Sequence, residues 1–84
     1  MTLDEKLAKL EWNDYLGPPP SYNTLDALFR VCKSQGWYVS TTLYAGGNCQ
    51  VYVYIIKDNK GIWKFGKGDN PVQALRNALE EVVG

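Results

Sequence analysis

Hydroxyl and thiol side chains are present in this chain, but it contains no histidine to activate them. That removes the usual general base and the commonest metal ligand together. Cys32 and Cys49 stand far apart in sequence and match no metal or redox spacing. Both fall on apolar faces, so they read as small buried hydrophobes rather than as disulfide partners. Asp58 and Asp69 lie in turn sequences where capping accounts for them. Gly66-Lys67-Gly68 precedes a helix start and has the composition of a phosphate cradle. It lacks the Walker spacing and its Lys-Ser/Thr pair, and Asp69 would repel an anion, so a tight strand-to-helix turn is the better reading. Catalysis therefore has little support, and neither a metal nor a cofactor is expected. What remains is a group of phenols, Tyr38, Tyr44, Tyr52 and Tyr54, with Thr42, Gln50 and Lys64 among them. Clustered tyrosines bring large contact area at small entropic cost, which suits a protein interface or a stacking platform for a base or nucleotide. An ordinary solvent-facing sheet would also carry them, since tyrosine has high strand propensity.

These residues are positioned by three runs of alternating character between Trp37 and Phe65. In the first run Val39, Thr41 and Leu43 share one face, and Tyr38, Ser40, Thr42 and Tyr44 the other. In the second, Cys49, Val51, Val53 and Ile55 oppose Gln50, Tyr52, Tyr54 and Ile56. A three-residue loop, Ala45-Gly46-Gly47, keeps the apolar residues together by setting Leu43 against Cys49, Thr41 against Val51 and Val39 against Val53. A five-residue loop would preserve the faces with shifted pairs. Asp58-Asn59-Lys60-Gly61 is a second turn in which Asn59 or glycine takes positive φ. The same parity sets Ile55 against Trp63 and Val53 against Phe65, which brings Lys64 beside Tyr54 as a cation–π partner or as plain solubilising charge.

Helical periodicity brackets the strands. Thr2-Leu3-Asp4-Glu5 is a capping box, and Leu3, Leu7 and Leu10 recur at helical spacing. A helix this short does not persist alone in water, so its stripe must pack on its own domain or on another chain. Trp12 and Tyr15 follow it, and Gly17-Pro18-Pro19-Pro20 forms a stiff connector. This divides the chain into an arm and linker, 1–20, with Leu3, Leu7, Leu10, Trp12 and Tyr15 as its contact residues, and a domain, 21–84. Asn23 is the expected cap of a second helix with the stripe Leu25, Leu28, Phe29 and Cys32, stopped by Gly36. Arg30, Lys33 and Gln35 face out. Asn70-Pro71 starts a last helix in which Val72, Leu75, Leu79 and Val82 are flanked by the small Ala74 and Ala78. The fold class is α+β: a three-stranded antiparallel sheet with two helices on one face, α-β-β-β-α, preceded by a short N-terminal helix.

Eighty-four residues suit one small domain. Such a chain buries only about 60–65% of its unfolded surface, so self-association is a plausible source of extra stability. Nine basic residues balance nine acidic ones, so no global field draws it to nucleic acid or to an anionic membrane. No apolar run is long enough for a membrane span, and the N-terminus is not of the secretory kind, so a cytoplasmic protein without a membrane partner is expected.

Two resemblances add to this. Gly66-x-Gly68-x-Asn70-x-x-x-Ala74-x-x-x-Ala78, entered from a third strand, resembles the C-terminal half of the double-stranded-RNA-binding domain. That family carries a serine and two lysines at the helix start to meet phosphates. The lysine positions here are Pro71 and Val72, next to Asp69, so the resemblance implies the topology and speaks against duplex RNA as ligand. The series from Pro20-Ser21-Tyr22 into an amphipathic helix, Gly36-Trp37, and Asn70-Pro71 before Ala74-Leu75-Arg76-Asn77-Ala78-Leu79 is similar to the small phage proteins grouped as the phage α-β-α sandwich domain. It implies a phage accessory protein in a bacterial cytoplasm and, by association, one that blocks a host process such as a defence system. The expectation is a non-enzymatic binding protein whose tyrosine face meets a host protein or a second copy of itself. The alternative is a nucleotide- or RNA-binding protein in which Tyr52 and Tyr54 stack on bases and Lys64 or Lys67 meets phosphate.

Overall fold

The computed structural model describes residues 2–12 and 21–84. Along the chain run α1 (Leu3–Glu11), α2 (Leu25–Gln35), β1 (Tyr38–Leu43), β2 (Cys49–Lys57), β3 (Lys60–Gly68) and α3 (Pro71–Val83). The strands form an antiparallel sheet in the order β1-β2-β3, with the helices on one side. Tyr15 and the proline connector lie outside the described residues.

The helix ends follow their local chemistry. Thr2 Oγ1 accepts from the Glu5 amide at 3.2 Å, and the Glu5 carboxylate accepts from the Thr2 amide at 3.4 Å, closing the capping box. At α3 the Asn70 side chain accepts from the Gln73 amide at 2.9 Å, ahead of Pro71 in the first helical position. At α2 the cap is Thr24, whose hydroxyl accepts from the Ala27 amide at 3.2 Å, and not Asn23. Tyr22, ahead of the cap, is fully buried. The buried stripe is Leu28, Val31 and Cys32, with Val31 in place of the expected Phe29, which is exposed. Gly36 closes α2 at φ 74° in the left-handed region.

The first hairpin has the expected register, from Tyr38 opposite Tyr54 to Leu43 opposite Cys49. Its loop is Ala45-Gly46-Gly47: the Gly47 amide donates to the Tyr44 carbonyl at 3.0 Å, and Gly47 itself takes φ 89° before the Tyr44 amide reaches Asn48. This is the turn-plus-left-handed-glycine geometry of a three-residue hairpin.

The second hairpin departs from expectation by one residue. Asp58 and Asn59 both adopt positive φ, 54° and 64°, giving a two-residue turn that pairs Lys57 with Lys60. Ile55 therefore faces Ile62, Val53 faces Lys64, Tyr54 faces Trp63 and Tyr52 faces Phe65. The slip exchanges the two faces of β3. Trp63 and Phe65 join the tyrosines, while Ile62, Lys64 and Gly66 turn toward the helices. Gly66-Lys67-Gly68 is strand rather than turn, with Gly66 opposite Val51 and Gly68 opposite Cys49. The glycine at 66 serves close packing: a Cβ there would collide with the Ala74 carbonyl and the Ala78 backbone.

One core joins all six elements, from Leu3 and Leu7 of α1 through Val51 and Val53 to Leu75 and Leu79. α3 lies across β2 and β3, α2 touches the start of β1, and α1 rests on α2 and α3. The N-terminal helix is thus a third member of the helical layer. Its last turn is held by Glu11, whose carboxylate takes donations from Arg30 Nη2 at 3.0 Å and from the Tyr22 hydroxyl at 3.0 Å. Its first turn is held by Asp4, which accepts from Arg76 Nη1 at 2.7 Å, and the same Arg76 nitrogen donates to the Tyr22 carbonyl at 2.8 Å. Gln35 Nε2 donates to the Leu10 carbonyl at 3.1 Å. Arg30 and Gln35, expected on a solvated face, are fasteners for α1.

Burial fails in one place where alternation promised it. Along β1 only Val39 is half-buried, and Thr41 and Leu43 stand exposed because, among the described residues, no helix reaches under that end of the strand.

Candidate functional site

The sheet's open side presents Tyr38 and Tyr44 from β1 and its turn, Gln50, Tyr52 and Tyr54 from β2, and Trp63 and Phe65 from β3. Five of the six rings form a chain of contacts across the strands. Tyr38 and Tyr54 have centroids 6.3 Å apart, Tyr54 and Trp63 4.9 Å, Tyr52 and Trp63 6.4 Å, and Tyr52 and Phe65 5.1 Å. The interplanar angles run from 47° to 83°, so each ring presents an edge or tilted face to its neighbour, the arrangement aromatic quadrupoles prefer. Tyr44 donates from its hydroxyl to Gln50 Oε1 at 3.1 Å, which fixes the polar end of the patch.

Pleating puts these side chains together, but the local backbone lets them lie down. Tyr54 folds its ring over Gly61, where even a Cβ would overlap the phenol. The ring thereby shields a glycine that brings no side chain of its own to the sheet. Trp63 remains 57% exposed, Phe65 42% and Tyr52 38%. An open hollow of about 430 Å³ is lined by Ser40, Tyr52 and Trp63. The register places Lys67, opposite Gln50, on this face.

Tyr38, Tyr44, Gln50, Tyr52 and Tyr54 are therefore brought together as expected, and Lys64 is not. It is half-buried on the helix side opposite Val53, because the two-residue turn reversed the parity of β3. Trp63, Phe65 and Lys67 take the places that reading left empty. The signal for them was Asp58-Asn59, two residues that both tolerate the left-handed region and so permit a two-residue turn. Of the arm residues, Leu3 and Leu7 lie in the common core, Leu10 packs against it, and Trp12 is exposed at the end of α1.

The ionisable groups elsewhere have structural surroundings. Burial pushes the Cys32 thiol up to about 11, so it stays protonated and unreactive at neutral pH, and Cys49 is buried as well. Among the described residues no cluster of three acidic, histidine or cysteine side chains could hold a metal ion, and no helix is long and apolar enough to cross a membrane. Comparison with protein families, curated proteins and solved structures finds no match to this chain.

Proposed function

We propose that this is a binding protein rather than an enzyme, and that its open sheet face docks on the surface of another protein. The observation that carries the reading is the row of rings from Tyr38 to Phe65, wet on one side and clustered on a rigid sheet. Monomeric folds seldom leave a contiguous apolar patch of this kind without a partner. Trp63 and Tyr52, beside the hollow at Ser40, have the residue types and the pocket expected of an interface anchor, into which a partner inserts one planar or branched side chain. The likeness of the sequence to small phage proteins suggests a bacterial host protein as that partner, with inhibition of its activity as the outcome; this step is analogy.

A nucleotide or single-stranded RNA is the weaker candidate for the same face. Stacking needs free ring faces and a charged groove along the backbone, whereas these rings lean on one another and the strands offer only Lys67 beside them.

The test pairs a photo-crosslinking residue at Thr42, inside the patch, with the double variant Tyr52→Ser/Trp63→Ser. A discrete protein crosslinked from bacterial extract by the parent and lost in the double variant, with unchanged circular dichroism, supports the reading. Saturable quenching of tryptophan emission by nucleotides or short RNA at micromolar concentration, abolished in the double variant, replaces it with the second.

A further inference from the structure

We infer that two copies of this chain pair through β1, edge to edge and antiparallel, with Thr41 on the two-fold axis, joining two sheets into one. The inference does not rest on the reading of the aromatic face, because it follows from the backbone of the edge strand.

The two edges of the sheet are built differently. β3, Lys60 to Gly68, carries Lys60, Lys64 and Lys67, and the Asn77 side chain on α3 donates to the Lys67 carbonyl at 2.7 Å. Lysines and a covering side chain are how sheets keep an edge from recruiting another strand. β1 has neither. Its six residues, Tyr-Val-Ser-Thr-Thr-Leu, include no charge, proline or glycine, and five of the six are exposed.

The hydrogen-bond phase of β1 fixes which groups are free. The Tyr44 amide donates to the Asn48 carbonyl at 2.9 Å, so by the alternation of an antiparallel ladder Thr42, Ser40 and Tyr38 also turn their backbone groups to β2. Val39, Thr41 and Leu43 then direct N–H and C=O outward. A two-fold axis normal to the sheet satisfies all of them in one register: Thr41 opposite Thr41 of the second copy, and Val39 opposite its Leu43, each pair exchanging two hydrogen bonds.

That register is also the one the side chains ask for. On the helix side it sets Leu43, 69% exposed, against the half-buried Val39 of the second copy, next to that copy's α2. Each chain's helical layer stops short of Leu43, and the two-fold brings the other chain's layer to that end. On the open side it sets Tyr38, 70% exposed, against Tyr44 of the second copy and Ser40 against Thr42. Aromatic and hydroxyl cross-strand pairs of this kind are favourable, and no like charges meet anywhere along the seam.

Short edge contacts sit at the low end of specific interface sizes, so the association is followed by light scattering from about 10 μM to about 1 mM chain. The expected mass rises toward twice the 9.5 kDa of the chain. Thr41→Pro removes an N–H that faces the free edge, a position where proline is tolerated in a folded monomer; it and Leu43→Lys should each hold the mass at that of one chain. Tyr52→Ser/Trp63→Ser should leave the association unchanged, which separates this inference from the proposed function. Should Thr41→Pro lose its circular dichroism, Leu43→Lys decides, since Leu43 is exposed in the single chain. A constant single-chain mass for the parent, or association that survives Leu43→Lys, overturns the inference.

Discussion

A methyl group at position 66 has nowhere to go. Gly66 is buried in mid-strand with the backbone of α3 directly above it, the Ala78 Cα only 2.7 Å from where a Cβ would stand. Gly66→Ala must push α3 off β3, a rigid-body cost that a backbone contact cannot relieve by rotating a side chain. Urea unfolding should show a loss toward the upper end of the about 1–3 kcal/mol usual for overpacking. Gly46→Ala, with open space around it and no left-handed backbone, should stay within about 0.5 kcal/mol. Ala74 and Ala78 were legible in the sequence as small residues that let a helix approach the sheet. Their counterpart Gly66 was not, because glycines just ahead of a helix read as a turn, and only the strand register shows that the approach occurs there.

Element by element, what could be read depended on whether one residue of slippage changed the answer. Caps and apolar stripes tolerate it: α2 begins one residue late, yet Leu28 and Cys32 still point inward. Strand parity does not tolerate it, and a turn of two residues in place of three exchanged Trp63 and Phe65 with Ile62 and Lys64. The docking of α1 was open on sequence grounds because its fasteners, Glu11 to Arg30 and Asp4 to Arg76, are 19 and 72 residues apart. The fastener at Glu11 carries a pH signature. Hydrogen bonds from Arg30 hold the Glu11 carboxyl below its ordinary value of 4.5, working against the burial that raises it. A depressed carboxyl contributes stability above its unfolded pKa and loses it as pH falls through the folded one, so α1 should loosen below about pH 4.5. Burial first, and then the hydrogen bond to Glu11, push Tyr22 from 10.0 up to about 12. A raised phenol is fully stabilising below pH 10.0 and loses that contribution on the way to about 12, which bounds the stable range from above. Glu11→Gln should cost about 1–2 kcal/mol at pH 7, kept small by the exposure of Arg30, and should flatten the acid limb of a stability–pH curve. An unchanged acid limb would mean that Glu11 is not what ties α1 down as the pH falls, leaving its apolar stripe and the bonds from Arg76 and Gln35 to hold it.

At the scale of the whole molecule the sheet divides side chains that hold the fold from side chains that are free to bind. A chain of 84 residues has a total stability of roughly 4–12 kcal/mol, so a single core truncation consumes a large share of it. Leu79→Ala and Val53→Ala, both fully buried between helix and sheet, should lower stability by about 2–4 kcal/mol. Trp63→Ser and Phe65→Ser remove larger side chains from the opposite face, yet each forfeits only cross-strand ring contacts and part of its burial, and should cost about 1–2 kcal/mol. Volume removed and stability lost would then run in opposite order on the two faces, which denaturant midpoints can rank directly. If Trp63→Ser unfolds the chain as readily as Leu79→Ala, the rings form a second hydrophobic core and are not a surface held ready for a partner. If the ranking holds, the largest apolar side chains of the sheet are kept on its wet side at little benefit to folding, as the proposed docking face requires.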